Sequence, residues 1–394
     1  MTRVADRWGT VTARSRASIQ SGTYSLPTEI VYGAGSVARL GDHLARLSLQ
    51  RPLIVTDQGV RGAGLVDAVV APLRSSLTSV SVFDQVESDP STTIVTAVRD
   101  RLRVDTNDCV IGLGGGSTID VAKAAAALVT NPGEPLDFVG RDKLTVDPVP
   151  IIAIPTTAGT GSEVTMWSVL TDPVSHRKVS IGSMRLMPRL AILDPNLTTG
   201  LPPGLTATTG MDALTHAVES YASVWCHPIA EGMALQAIGM IGSNLRTAVH
   251  HGQVIEARHA MLLASLIAEL AANSTRLGIA HALAIPLGSL HRIPHGVANA
   301  ILLPHVVDFN RPAAEDRYAI IGAAVDGGMG RVDPGDAIRR LNAEIGITAC
   351  LSDWGVTEAS FPALIEMASQ SDNMLANPRE AGPRELGLIL RAAM

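Results

Sequence analysis

The chain has 394 residues, a formal net charge of -6, 46% hydrophobic residues and 17% charged ones. That length allows two domains with well-buried cores, and the composition excludes a disordered chain or a coiled coil. The acidic balance argues against a nucleic-acid partner, which would need a basic face. Residues 1–22 are polar, lack the apolar stretch of a secretory signal, and are read as a mobile extension. From there to about residue 200, short β-branched runs alternate with helical stretches. Leu53–Thr56, Val80–Phe83, Cys109–Leu113, Ile151–Ile154 and Leu190–Leu193 read as strands, several of them apolar on both faces as in a covered parallel sheet. Ser36–Leu49, Pro90–Leu102 and Ile119–Leu128 read as the helices between them. Beyond Thr198–Pro203 the β-runs vanish, and Ala/Leu/Met-rich segments such as Glu231–Val249 and Glu256–Leu277 carry helical periodicity.

Gly114-Gly115-Gly116-Ser117 follows a strand and opens a helix, so its backbone can approach a pyrophosphate at the helix N-terminus. Asp120 falls in the first turns of that helix, where it fits a cap partner and a cofactor contact equally well. The loop is only close to the dinucleotide fingerprint, and no acid stands at a strand end about 20 residues on. Pro155-Thr-Thr-Ala-Gly-Thr160 follows another strand and offers hydroxyls and N–H groups on a tight turn.

Asp212 and His216 lie four apart in a segment of helical composition, so both side chains leave one face. His281 and His295 bracket a stretch in which Pro286, Gly288 and Pro294 are expected to break any helix and let the chain double back. One carboxylate and three imidazoles suit Fe2+ or Zn2+. By itself, the Asp212/His216 pair fits a surface pair or a cap just as well. Cys109, Cys226 and Cys350 are few and scattered, which fits a reducing cytoplasm and no disulfide framework. No apolar run is long enough to cross a bilayer.

These segments, in this order, resemble the iron-containing (group III) alcohol dehydrogenase family. The stretches that carry the likeness are Gly114-Gly-Gly-Ser-Thr-Ile-Asp120, Pro155-Thr-Thr-Ala-Gly-Thr-Gly-Ser-Glu163, Gly210-Met-Asp-Ala-Leu-Thr-His216 and Pro294-His-Gly-Val-Ala-Asn-Ala-Ile-Leu-Leu-Pro-His305. The resemblance runs from about Pro27 to Asn377-Pro-Arg-Glu380. It implies an α/β N-terminal domain with a Rossmann-like parallel sheet over residues 23–200, which binds NAD. An all-α, metal-binding C-terminal domain follows over residues 201–394, in the architecture shared with dehydroquinate synthase.

It further implies Asp212, His216, His281 and His295 as metal ligands, with Fe2+ as the ion and Zn2+ as the alternative. For the cofactor it points to Gly114, Gly115, Gly116, Ser117, Thr156, Thr157, Gly159 and Thr160, together with Asp89 and Lys178. It also points upstream to Asp57, whose carboxylate would accept from ribose hydroxyls and repel the 2′-phosphate of NADP, favouring NAD. Lys178 reads equally as a solvated charge beside Arg177.

The implied reaction is hydride transfer between nicotinamide and an alcohol or carbonyl held by the metal as Lewis acid. Many members carry a further His four residues after the third ligand; here Ile285 stands there. His291 is the expected substitute in proton transfer, against the plainer reading of a surface histidine. Glycerol dehydrogenase, maleylacetate reductase and dehydroquinate synthase are related alternatives. The expected partners are a small alcohol or aldehyde and a second copy of the chain, with no membrane involved.

Overall fold

The β-branched runs pair into one six-stranded sheet, every neighbouring pair parallel. In chain order its strands are β1 (Glu29–Tyr32), β2 (Pro52–Val55), β3 (Ser81–Phe83), β4 (Cys109–Gly114), β5 (Ile151–Pro155) and β6 (Leu190–Leu193). Across the sheet they run β1-β6-β5-β4-β2-β3. The sheet comes from a computed structural model that describes residues 5–6, 9–14, 23–73, 77–328 and 332–394.

Alternate residues of each strand serve opposite faces. Leu53, Val55 and Val110 pack with Val95, Val98 and Leu102 of α1 (Thr92–Val104) and with Val121 and Ala125 of α2 (Gly116–Thr130). Ile54, Ile111, Ile152, Ile154 and Ile192 pack the other way, with Leu40, Leu44, Val66 and Val69. Each large aliphatic side chain buried in this way contributes roughly 1.5–3 kcal/mol. The edge strand β1 is half exposed and has no long apolar run, so periodicity does not announce it. The same holds for a three-stranded sheet in which Lys178–Gly182 lies between Gly140–Arg141 and Trp167–Thr171.

The chain divides into two compact units, Ser25–Leu201 and Pro202–Met394, with residues 1–24 grouped with the second. The second unit is helical: α3 (Pro203–Ala222), α4 (Pro228–His250), α5 (Ile255–Thr275), α6 (Ile279–His291) and α7 (His295–Asn310), followed by shorter helices. Helices α3, α4 and α5 pack on one another. Helices α6 and α7 share a core with Leu351, Phe361, Leu364 and Leu386.

The extension read as residues 1–22 lies outside the described residues at 1–4, 7–8 and 15–22. Its described part is fastened to the helical unit. The Arg14 N–H donates to the Pro378 carbonyl (2.9 Å), and the Glu380 N–H donates to the Thr12 carbonyl (3.0 Å). Among the described residues no helix is long and apolar enough to cross a membrane.

Candidate metal centre and cofactor turns

Helix α3 starts at Pro203, where a missing N–H costs nothing, and carries Asp212 and His216 one turn apart, both buried. His281 is the third residue of α6 and His295 the first of α7. The expected break between them is confined to its end. Helix α6 runs through Pro286 and Gly288 to His291, and the chain reverses only at Arg292, with φ 54°, and Pro294. Proline deletes one helical hydrogen bond, but Ile279, Ala280, Ala282, Leu283, Ala284 and Leu287 are all buried, and that packing outweighs the loss. Close approach of α7 to α3 depends on Gly296, where a Cβ would overlap the Thr208 carbonyl.

The side chains converge. Asp212, His216 and His281 each offer a ligand atom, all within 4.8 Å of one another. His295 Nε2 lies 3.5 Å from Asp212 Oδ1. The His216 and His281 rings stack at 4.6 Å, and the His281 and His295 centroids are 5.3 Å apart.

Two residues without an assigned role complete the cluster. Glu219 Oε2 accepts from the Gly278 N–H (2.8 Å) and lies 2.7 Å from His281 Nδ1, while Oε1 accepts from the Ala280 N–H (2.7 Å). One carboxylate thus caps α6 and fixes the His281 tautomer, leaving Nε2 turned towards Asp212. Asn299 Nδ2 donates to Asp212 Oδ1 (2.7 Å) and stands 3.2 Å from both His281 Nε2 and His295 Nε2. Spacing could have found both: Glu219 is seven residues after Asp212 on α3, and Asn299 is four after His295 on α7.

Burial opposes charge on Asp212, yet His216, His295 and His281 override it and hold the carboxyl well below the usual range. Burial likewise opposes charge on His281, but hydrogen bonds to Asp212 and Glu219 push it up to about 9. The donor set fits a borderline divalent cation: one carboxylate and three imidazoles, with a lone pair on His281 Nε2 presented by the grip on Nδ1.

His291 falls away from this group. It sits nearly three turns beyond His281 on the same helix, about 15 Å along its axis. It is a helix-end residue instead of part of an interligand loop, and the geometry gives the expected proton relay no support.

In the α/β unit Asp57, Gly114–Ser117 and Thr156–Thr160 gather at the C-terminal ends of β2, β4 and β5, the edge where open parallel sheets bind ligands, while Asp89 and Lys178 lie outside that edge. The Thr156 N–H donates to the Gly114 carbonyl (3.0 Å), joining the two turns. Gly116 lets Thr160 approach, since a Cβ there would lie 2.7 Å from the Thr160 hydroxyl oxygen. Gly159 lies on the same turn, and Ser117 is in the first turn of α2. Asp57 Oδ1 caps a short helix through the Val60 N–H (2.9 Å), and Oδ2 lies 3.4 Å from the Thr118 hydroxyl.

Lys178 is ion-paired with Asp89, so it is no solitary surface charge. Asp120 departs from its expected cofactor contact. It is buried, and its carboxylate accepts from the Ser162 hydroxyl and from the Val169 N–H (2.9 Å).

The fold, the candidate ligand cluster and the candidate cofactor turns together fit a metal-dependent oxidoreductase of the dinucleotide-binding kind. The chain belongs to the iron-containing alcohol dehydrogenase family: the family model matches residues 27–195 and its C-terminal companion residues 206–394. It is 41% identical to the 1,3-propanediol dehydrogenase of Citrobacter freundii over 380 residues, covering 94% of this chain and 98% of the relative. The crystal structure of a 1,3-propanediol oxidoreductase superposes with TM-score 0.91 at 40% identity, covering 95% of this chain and 100% of the other. Sulfoacetaldehyde reductase from Bifidobacterium kashiwanohense, solved in complex with NAD+, gives TM-score 0.87 at 32% identity, covering 95% and 99%.

Proposed function

We propose that this NAD-linked alcohol dehydrogenase of the iron-containing type holds its catalytic ion with Asp212, His216, His281 and His295. The observation that supports the reading is the convergence of those donors from three helices, with Glu219 and Asn299 orienting them. Held there, a divalent iron would supply Lewis acidity towards an alcohol or carbonyl oxygen, and a bound nicotinamide would be the hydride donor or acceptor. The protein's own contribution is orientation. Glu219 holds His281 in one tautomer, Asn299 holds the Asp212 carboxylate, and burial shields the Asp212, His216 and His281 side chains from competing water.

The dinucleotide lies, in this reading, on the turns Gly114–Ser117 and Thr156–Thr160. Asp57 selects NAD over NADP by repelling a 2′-phosphate. The substrates are small alcohols and aldehydes, and relatives of this kind suggest short diols and primary alcohols as the first to try. Three thiols without a disulfide suit a reducing cytoplasm. A homodimer or larger homo-oligomer is expected, and light scattering on the purified chain decides it.

The test is metal analysis of anaerobically purified protein, with NADH oxidation followed across a panel of short aldehydes. Asp212→Asn should remove the stoichiometric metal and lower turnover by about a thousandfold or more, as losing an essential electrostatic stabiliser does. A variant that keeps both its metal and its turnover would overturn the ligand assignment.

A further inference from the structure

Beneath the two cofactor turns lies a buried ionic cluster that no step of the proposed reaction uses. The Lys123 side chain, on α2, is fully buried. Its ammonium shares its three N–H donors among Ser162 Oγ (3.1 Å), Thr165 Oγ1 (2.9 Å), the Thr165 carbonyl (3.1 Å) and the Trp167 carbonyl (3.0 Å). Asp120, one turn earlier on the same face, stands 3.9 Å from Lys123 Nζ. It receives the Ser162 hydroxyl and the Val169 N–H, while the Ser168 hydroxyl donates to its backbone carbonyl (2.8 Å). Every one of these partners belongs to residues 162–169, the segment leaving the Thr156–Thr160 turn.

Apolar packing would hold such a segment to α2 more cheaply, because removing two charges from water carries a cost of several kcal/mol per ion. What apolar packing does not supply is register. Directional bonds from one ammonium to residues 162, 165 and 167, and from one carboxylate to residues 162 and 169, admit a single placement of the segment along α2. That placement also sets how closely Thr160 approaches Gly116.

We infer that Asp120 and Lys123 are positioning residues for the dinucleotide: their buried pair clamps residues 162–169 so that the Thr156–Thr160 turn meets the Gly114–Ser117 turn in binding register. The inference rests on the reading that these turns hold the cofactor. The clamp acts through other groups and touches neither substrate nor metal, so its signature lies in cofactor affinity, with the metal site left intact.

The experiment measures the NADH dissociation constant by nicotinamide fluorescence on the iron-loaded full chain, alongside metal content and kcat at saturating NADH. Lys123→Met and Asp120→Asn should each weaken NADH by about tenfold or more, since small displacements of positioning groups are costly. Metal content should hold, and kcat should stay within about twofold. The double variant should regain part of the loss, because neither charge is then left unpaired. Dissociation constants within about twofold of the parent for both single variants would overturn the inference, whatever happens to Tm.

If those variants do not fold, Ser162→Ala, which removes the hydroxyl shared by both charges, stands in with an expected weakening of several-fold; unchanged affinity there overturns the inference equally. Gly116→Val separates the two layers of the argument by pressing on Thr160. Intact NADH binding in that variant overturns the placement of the cofactor and the clamp's role with it. Weakened binding there, combined with unaffected clamp variants, overturns the clamp alone.

Discussion

In the reading proposed above, the helical unit and the α/β unit would hold their charged guests with opposite materials. In the helical unit the candidate ligand atoms belong to ionisable side chains standing close together: buried Asp212 and His216 from α3 and buried His281 from α6, with the more exposed His295 from α7. In the α/β unit they are backbone groups and hydroxyls on turns after parallel strands, and the buried charges there, Asp120 and Lys123, face away into the protein. The contrast follows from the guests. A small divalent cation needs several lone pairs at one point, which only side chains from separate helices deliver. A dinucleotide is long and anionic, and is met by N–H groups along a turn at a helix N-terminus. A centre of the first kind should fail when a single charge is altered, and one of the second kind when its turns are moved.

The largest expected effect probes how buried charge is tolerated in the α/β unit. Glu163 is buried, and burial pushes its carboxyl up to about 7, against a hydrogen bond from its own backbone and the Lys123 charge. The folded state therefore holds a proton that the unfolded chain has already released, in the window between the ordinary carboxylate range and about 7. Stability contributed by that proton is complete below about 4.5 and lost as pH rises through 7. Glu163→Gln should gain about 3 kcal/mol on the parent between those limits, read from denaturant unfolding at both ends. A pH-independent difference would show that this carboxylate is not held in the protonated form.

Next is Glu219→Gln, which leaves the four ligands in place and removes the charge behind His281. Metal affinity in chelator competition should fall by roughly 10–100-fold, the usual cost of losing such a partner. An unchanged affinity would mean that the α6 N-terminus alone orients the ring.

Asp57→Ala should raise the NADPH-to-NADH ratio of kcat/KM by about tenfold, the worth of about one like-charge repulsion. If Asp57 serves only as the cap of its short helix, Tm falls and the ratio does not move.

The smallest effect is expected at Arg276, which leads from α5 towards α6 with φ 56° and ψ 177°, a conformation that is comfortable only for glycine. Arg276→Gly loses an ion pair with Asp372 and a stack on Trp225, both modest at half-exposed sites, and relieves roughly 1–3 kcal/mol of strain. Tm should stay the same or rise. A marked fall would show that the side chain, and not the backbone, holds this corner.

Much of this arrangement is legible in the sequence. Alternating and continuous apolar runs located β2 to β6 to within a residue or two, because a covered parallel strand has few other ways to be written. The four-residue spacing of Asp212 and His216 placed both on one helical face, and the glycine run placed a turn between strand and helix. The half-exposed edge strand β1 and the small three-stranded sheet escaped, since their burial is partial and their pattern correspondingly weak.

Other facts belong to the tertiary structure alone. Asp120 and Ser117 stand three apart at the head of α2, and no local rule says that the carboxylate is gripped by Ser162 and Val169. Pro286 reads locally as a break, yet the burial of its neighbours lets α6 continue through it, which carries His291 nearly three turns from His281. Glu219 and Asn299 were in plain view, but their partners lie 62 and 87 residues away along the chain. Local pattern reports which face of an element a side chain leaves from. What meets it there depends on how distant elements pack, and that long-range competition for burial has no period for a sequence to display.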